Sequence, residues 1–286
     1  MPYRPHPRPL NKLLCLACLA FAALLGGCAS APEAPVLRPL SASALKATTA
    51  RLDALLPADV LLLGEQHDAA EHQQIEQQVI ALLAQRGLLA ALALEMADTG
   101  HSTANLHPSS TEQQVQSALK WSNKEWPWQA YGPAVMTAVR AGVPVLGANL
   151  SRPQMQDSML DTKLDVQLPG PALKAQQQLI RIGHCNALPE SQITPMTRVQ
   201  IAKDITMANT LSQAVLPGKV VVLLSGSGHT DRRLGVPQHL RADLKVKAIR
   251  LRAGEAQADE SAEAFDAVWA TPALPEKDYC AAFKRP

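Results

Sequence analysis

An α/β fold, with a mostly parallel central sheet, helices on both faces and an inserted helical subdomain, is what this sequence predicts. Three observations carry that expectation. Short apolar runs bounded by turn residues recur along the chain, helical stretches separate them, and the runs lack polar–apolar alternation. Alternating strands and helices argue for parallel βαβ units, and unbroken apolar strands are those of a sheet covered on both faces.

In chain order the strand-like runs lie at 59–63, 90–95 (AALALE), 143–148 (VPVLGA), 219–225 (KVVVLLS) and 245–251 (KVKAIRL). Helical stretches are expected at 71–86, 111–120, 132–141, 153–161, 172–183 and 195–214. Between the third and fourth runs lie about 70 mostly helical residues, too many for one crossover. They predict a helical insertion at about 153–215, leaning over one end of the sheet.

The chain begins differently. Residues 1–27 hold Arg4, Arg8 and Lys12 with no acid, then an apolar stretch from Leu13 to Leu25. A basic segment followed by a short apolar one is the pattern of an export signal, too short for a spanning helix of about 20 residues. It ends in Leu25-Gly26-Gly27-Cys28, which resembles the bacterial lipobox. The resemblance implies lipidation of Cys28 and a membrane partner reached through that anchor. Ala29, rather than Asp, follows the cysteine, so outer-membrane sorting is expected. Residues 28–45, rich in Ala, Pro and Ser, read as an extended tether. Residues 46–286 then form one α/β domain carrying the insertion.

Removing the leader changes the charge. The whole chain has 27 basic and 25 acidic residues; without the three leader basics it has 24 against 25, a formal charge of −1. No large basic field remains to recruit nucleic acid. Beyond Cys28 the exported chain keeps Cys185 and Cys280. In an oxidising compartment such a pair is expected to form a disulfide, closing a loop of about 95 residues; two isolated thiols are the alternative.

The candidate site follows from strand ends. Gly64-Glu65-Gln66-His67 follows the first run, and Gly226-Ser227-Gly228-His229 follows the fourth. Glu95 ends the second, and Asn149, Ser151 and Arg152 follow the third. In an open parallel sheet ligands bind beyond the carboxyl ends of the strands, so these residues are expected to share one rim. His67, Glu95 and His229, with Glu65, form a donor set for a divalent metal with an open position for water. Without metal, a carboxylate there would act as base while Arg152 clamps an anion. Asp204, on the otherwise apolar helix 195–214, needs a partner, and Arg152 is the expected one.

Several stretches together resemble the ChaN family of haem-binding lipoproteins, a branch of the superfamily that includes TIKI proteases and erythromycin esterases. They are LLLGEQHD, ALALEM, WPWQAYGP (126–133), VPVLGANLSR, GHC (183–185), MTRVQIAKDITMA (196–208), LLSGSGHTDRRLGVP (223–237) and DYC (278–280), spanning roughly 59–280. The resemblance implies a parallel α/β core, outer-membrane attachment, haem as ligand in iron uptake, a tyrosine on the iron, and haem pairs held across a homodimer. An outer-membrane haem receptor is the further partner such a role would call for.

The residues themselves support haem in part. Trp121, Trp126, Trp128 and Tyr131 fall within eleven positions and offer rings to stack on a porphyrin, or to pin their loop to the helical insertion. Tyr131 is the favoured tyrosine ligand, with Tyr279 beside the expected disulfide as the other exported tyrosine. His184, at a helix end beside Cys185, is a second ligand candidate. His101 and His107 are unranked, and Arg232 and Arg233 are candidates to neutralise propionates. Two functions therefore stand on the sequence: a haem-binding uptake protein, and a divalent-metal hydrolase using His67, Glu95, His229 and Glu65.

Overall fold

The computed structural model describes residues 41–255 and 263–281, all within the compact unit Pro35–Pro286. The leader 1–27, Cys28 and residues 29–40 of the expected tether lie outside the described residues. Among the described residues no helix is long and apolar enough to cross a membrane.

The elements run α1 (Ala42–Asp53), β1 (Val60–Glu65), α2 (Ala70–Gln85), β2 (Leu89–Asp98), α3 (Glu112–Ala118), α4 (Trp128–Arg140), β3 (Val145–Asn149), α5 (Arg152–Leu160), α6 (Gly170–Gly183), α7 (Glu190–Ala214), β4 (Val220–Gly226), β5 (Val246–Ala253) and β6 (Ala267–Thr271). The six strands form one sheet in the order β3-β2-β4-β1-β5-β6, and every pairing is parallel. The five strands expected from apolar runs are all present.

Both faces of the sheet are buried, as the lack of alternation requires. One face presents Leu61, Leu63, Leu92, Leu94, Val222 and Leu224 to α1, α2 and α4. The other presents Val60, Leu62, Ala91, Ala93, Val221 and Leu223 to Met207, Ala208 and Leu211 of α7. Each fully buried Leu or Val is worth roughly 1.5–3 kcal/mol, so this double layer is the main source of stability. The expected insertion thus shares its last helix with the sheet. The C-terminal half of α7 is the crossover to β4, while its N-terminal half carries α5 and α6 through Leu164, Leu168, Ile201 and Ala202.

Three helix starts differ from expectation, and one strand is additional. Helix α1 starts at Ala42, inside the stretch read as tether, because Ser41 caps it by accepting from the Ala44 amide at 3.2 Å. Helices α4 and α7 start at Trp128 and Glu190, before the expected first residues Gly132 and Pro195, and Pro133 and Pro195 lie inside them. Strand β6 has only five residues and enters the sheet beside β5. The expected disulfide is present: Cys185, in the turn between α6 and α7, is bonded to Cys280.

Candidate functional site

The β3, β2, β4 and β1 ends lie side by side in that order, and they bring together five of the six expected pocket residues. Glu65 ends β1 on the α2–α4 face, and its carboxylate accepts three hydrogen bonds: from His67 Nδ1 at 2.8 Å, Tyr131 Oη at 2.7 Å and Gln73 Nε2 at 2.6 Å. Glu95 rises at the end of β2. Its carboxylate accepts from the Gly226 amide at 2.9 Å and from His229 Nε2 at 3.2 Å, and lies 3.5 Å from Lys203 Nζ. His67 Nε2 stands 3.9 Å from the same group, joining the two halves. Asn149 holds the β2 backbone, donating to the Glu95 carbonyl at 2.8 Å.

The two Gly-x-x-His turns interlock, which explains their glycines. A Cβ on Gly64 would strike Thr230 Oγ1 and lie 2.8 Å from Ser227 Cα, both in the second turn. A Cβ on Gly226 would lie 2.9 Å from His67 Nε2, in the first. Each glycine admits the other turn's residues to the rim.

Electrostatics separate the two histidines. His229 is buried between Glu95 and Asp204, with Nδ1 2.6 Å from Asp204 Oδ1. Burial disfavours its charge, but Glu95 and Asp204 outweigh that and push its pKa up to about 10. At neutral pH it is an imidazolium donating to both carboxylates. Glu95 is likewise opposed by burial, yet His229, Lys203 and His67 hold it well below the usual carboxylate range. Burial raises Asp204 to about 6 against the pull of His229. For His67, burial is outweighed by the hydrogen bond and charge of Glu65 and by Glu95, so its pKa is raised.

Arg152 does not pair with Asp204, because His229 takes that carboxylate. It stands exposed at the start of α5, lining a cavity of about 400 Å³ with Glu95, Asn149 and Lys203. The expected metal centre is also corrected. Among the described residues no three His, Cys, Asp or Glu side chains are grouped to hold a metal ion. The physical reason is prior engagement: both His229 nitrogens face carboxylates, His67 Nδ1 is bound to Glu65, and the Gly226 amide and His229 hold Glu95.

A cavity of about 560 Å³ opens over this rim, within the roughly 300–1,000 Å³ of small-molecule sites. Its lining includes His67, Trp126, Leu251, Arg250, Arg252 and Tyr279. Of the three clustered tryptophans only Trp126 reaches it, set edge-on to His67 with ring centroids 4.9 Å apart. Trp121 and Trp128 pack with the main core instead of the helical insertion.

The two tyrosines fare differently. Tyr131 also borders the cavity but is 1% exposed, and burial together with Glu65 pushes its phenol far above the usual range. Tyr279 is 52% exposed at the cavity wall, donating to Asp68 Oδ2 at 2.9 Å and accepting from Gln66 Nε2 at 3.1 Å. His184 sits at the end of α6, its Nδ1 2.8 Å from the Ile180 carbonyl. His101 lines the cavity of Arg152, and His107 bonds Ser109 at 2.7 Å. Arg232 and Arg233 are paired with Asp266 and Asp231, away from the cavity. Arg250 and Arg252 are the cations at its wall; their alternation at the end of KVKAIRLRA was the signal for them.

The family model described as haem-binding uptake, Tiki superfamily, ChaN matches residues 51–240. The chain belongs to this family. Among solved structures, Campylobacter jejuni ChaN, described with cofacially bound haem, is similar at 26% identity and a TM-score of 0.62, over 77% of this chain and 90% of that one. The type III effector HopBA1 gives 16% identity and a TM-score of 0.46 over 84% of this chain and 99% of that one. No curated protein matches the chain.

The cavity fits the family's ligand. Haem needs an apolar slot, an axial donor and cations for its propionates. Trp126, Pro127 and Leu251 supply apolar wall, Arg250 and Arg252 the cations, and His67 and Tyr279 candidate donors. Bound haem would bring its iron; these residues would orient the ring and shield it from water.

Proposed function

We propose that this chain is an outer-membrane lipoprotein, anchored through Cys28, that binds haem in the cavity above the β1–β4–β5 rim and takes part in haem uptake. The observation that carries the reading is the lining of that cavity: an aromatic ring, two arginines and an accessible phenol. The family match supports haem as the ligand, and the lipobox-like Leu25–Cys28 supports the anchor. Between the two tyrosines the reading favours Tyr279, because Tyr131 would have to leave Glu65 and the core to meet iron. A homodimer and an outer-membrane haem receptor are its further partners.

The test is a haemin titration of the purified chain, followed by its Soret band. Saturable binding that weakens in Tyr279→Phe and in Arg250→Ala with Arg252→Ala, but survives Tyr131→Phe and His184→Ala, is the expected result. Absence of saturable binding ends the haem reading. For the anchor, Cys28→Ala should move the protein from the membrane fraction to the soluble fraction of the source cells.

A further inference from the structure

The last described segment, residues 272–281, has no helix or strand beyond a terminal turn, and most of its residues are exposed. It nevertheless puts Tyr279 on the cavity wall. Two attachments flank that placement. On one side Asp68, in the turn after β1, accepts from Tyr279 Oη at 2.9 Å and from Lys277 Nζ at 3.0 Å. Lys277 also lies over the Tyr279 ring, 4.8 Å from its centroid. On the other side Cys280 is bonded to Cys185, in the turn between α6 and α7. A short exposed segment without buried apolar anchors is expected to move unless tied down.

We infer that Asp68 and the Cys185–Cys280 disulfide are positioning elements for the cavity: together they hold Tyr279 at its wall, so that ligand affinity depends on the redox state of one cysteine pair. The inference rests on the haem reading for its ligand, but its structural half does not. Reduction is a balanced exchange with a dithiol. The Sγ–Sγ bond breaks, two electrons and two protons pass to Cys185 and Cys280, and the dithiol closes to its own disulfide. What is lost is preorganisation: a wall residue that must be re-ordered by the ligand contributes less to affinity.

The experiment compares the full chain with Cys185→Ser/Cys280→Ser and with Asp68→Asn, which keeps the disulfide. Haemin affinity and backbone amide exchange at 277–281 are both measured well below the melting midpoint. Expected are an affinity loss of about tenfold in each variant and faster exchange at 277–281, with exchange in β1 and β4 unchanged. Unchanged affinity with unchanged exchange at 277–281 overturns the inference. So does an affinity loss with unchanged exchange there, because Tyr279 would then be held by something else. If the wild-type chain does not bind haemin, the haem reading fails, and the exchange arm still decides whether the two attachments hold the segment.

Discussion

His229 Nε2 lies 3.2 Å from Glu95 Oε1, and this contact ties the end of β4 to the end of β2 across 134 positions of chain. With Asp204 on the other ring nitrogen it makes a buried cation between two carboxylates. Stability should therefore depend on pH in a defined way. The raised His229 pKa contributes stability that is complete below 6.5 and is lost as pH climbs through about 10. Depressed Glu95 contributes above 4.5 and loses its contribution as pH falls through its folded-state value. Asp204, raised from 3.8 to about 6, favours its neutral form and pulls the optimum toward acid. Thermal midpoints measured across pH should decline above 6.5, and His229→Gln should flatten that alkaline decline. A midpoint rising from pH 7 to 9 would contradict the arrangement.

Gly64 and Gly226 should respond differently to alanine. At Gly64 the added carbon meets Thr230 Oγ1 and the Ser227 backbone, which cannot yield without moving the second turn. A loss of about 2–4 kcal/mol is expected by denaturant unfolding. At Gly226 the main obstacle is the His67 ring, a side chain 39% exposed that can rotate away. There the expected cost is under about 1.5 kcal/mol. The signature should instead be a displaced His67 resonance, read by NMR titration of the histidine.

Glu76, on α2, is fully buried, and among the described residues neither carboxyl oxygen has a hydrogen-bond partner. Burial, then the charge of Glu65, raises its pKa well above the usual range. An unpartnered buried carboxyl is a net cost, and an apolar residue of similar volume should remove it. Glu76→Met is expected to stabilise the protein by about 1 kcal/mol at neutral pH, raising the melting midpoint. A lower midpoint would mean that the carboxyl has a partner after all.

Tyr131→Phe should leave Glu65 with two donors instead of three and cost about 1–2 kcal/mol, because the hydroxyl is deleted from a buried bond. Its aromatic packing against Trp126 and Trp121 is kept, so the fold should survive. The measurement is the denaturant midpoint of the variant against wild type.

Much of this was legible in the chain. Unbroken apolar runs such as VLLL and VVVLL marked the covered parallel strands, because a strand buried on both faces needs apolar residues at every position. The two Gly-x-x-His turns and Glu95 marked the rim, because strand ends of a parallel sheet collect on one edge. Cys185 and Cys280 marked the bridge. Local chemistry carries such signals: periodicity, turn residues and cysteine number are properties of short stretches.

What only the tertiary structure decided was who holds whom. That Asp204 meets His229 and not Arg152, that both His229 nitrogens are taken, and that Tyr131 is buried while Tyr279 faces the cavity depend on how α7, α4 and the C-terminal segment settle around the sheet. A carboxylate in sequence has many possible cations. Distance in the folded state selects among them, since Coulomb and hydrogen-bond energies fall off over a few ångströms while the partners lie tens of residues apart.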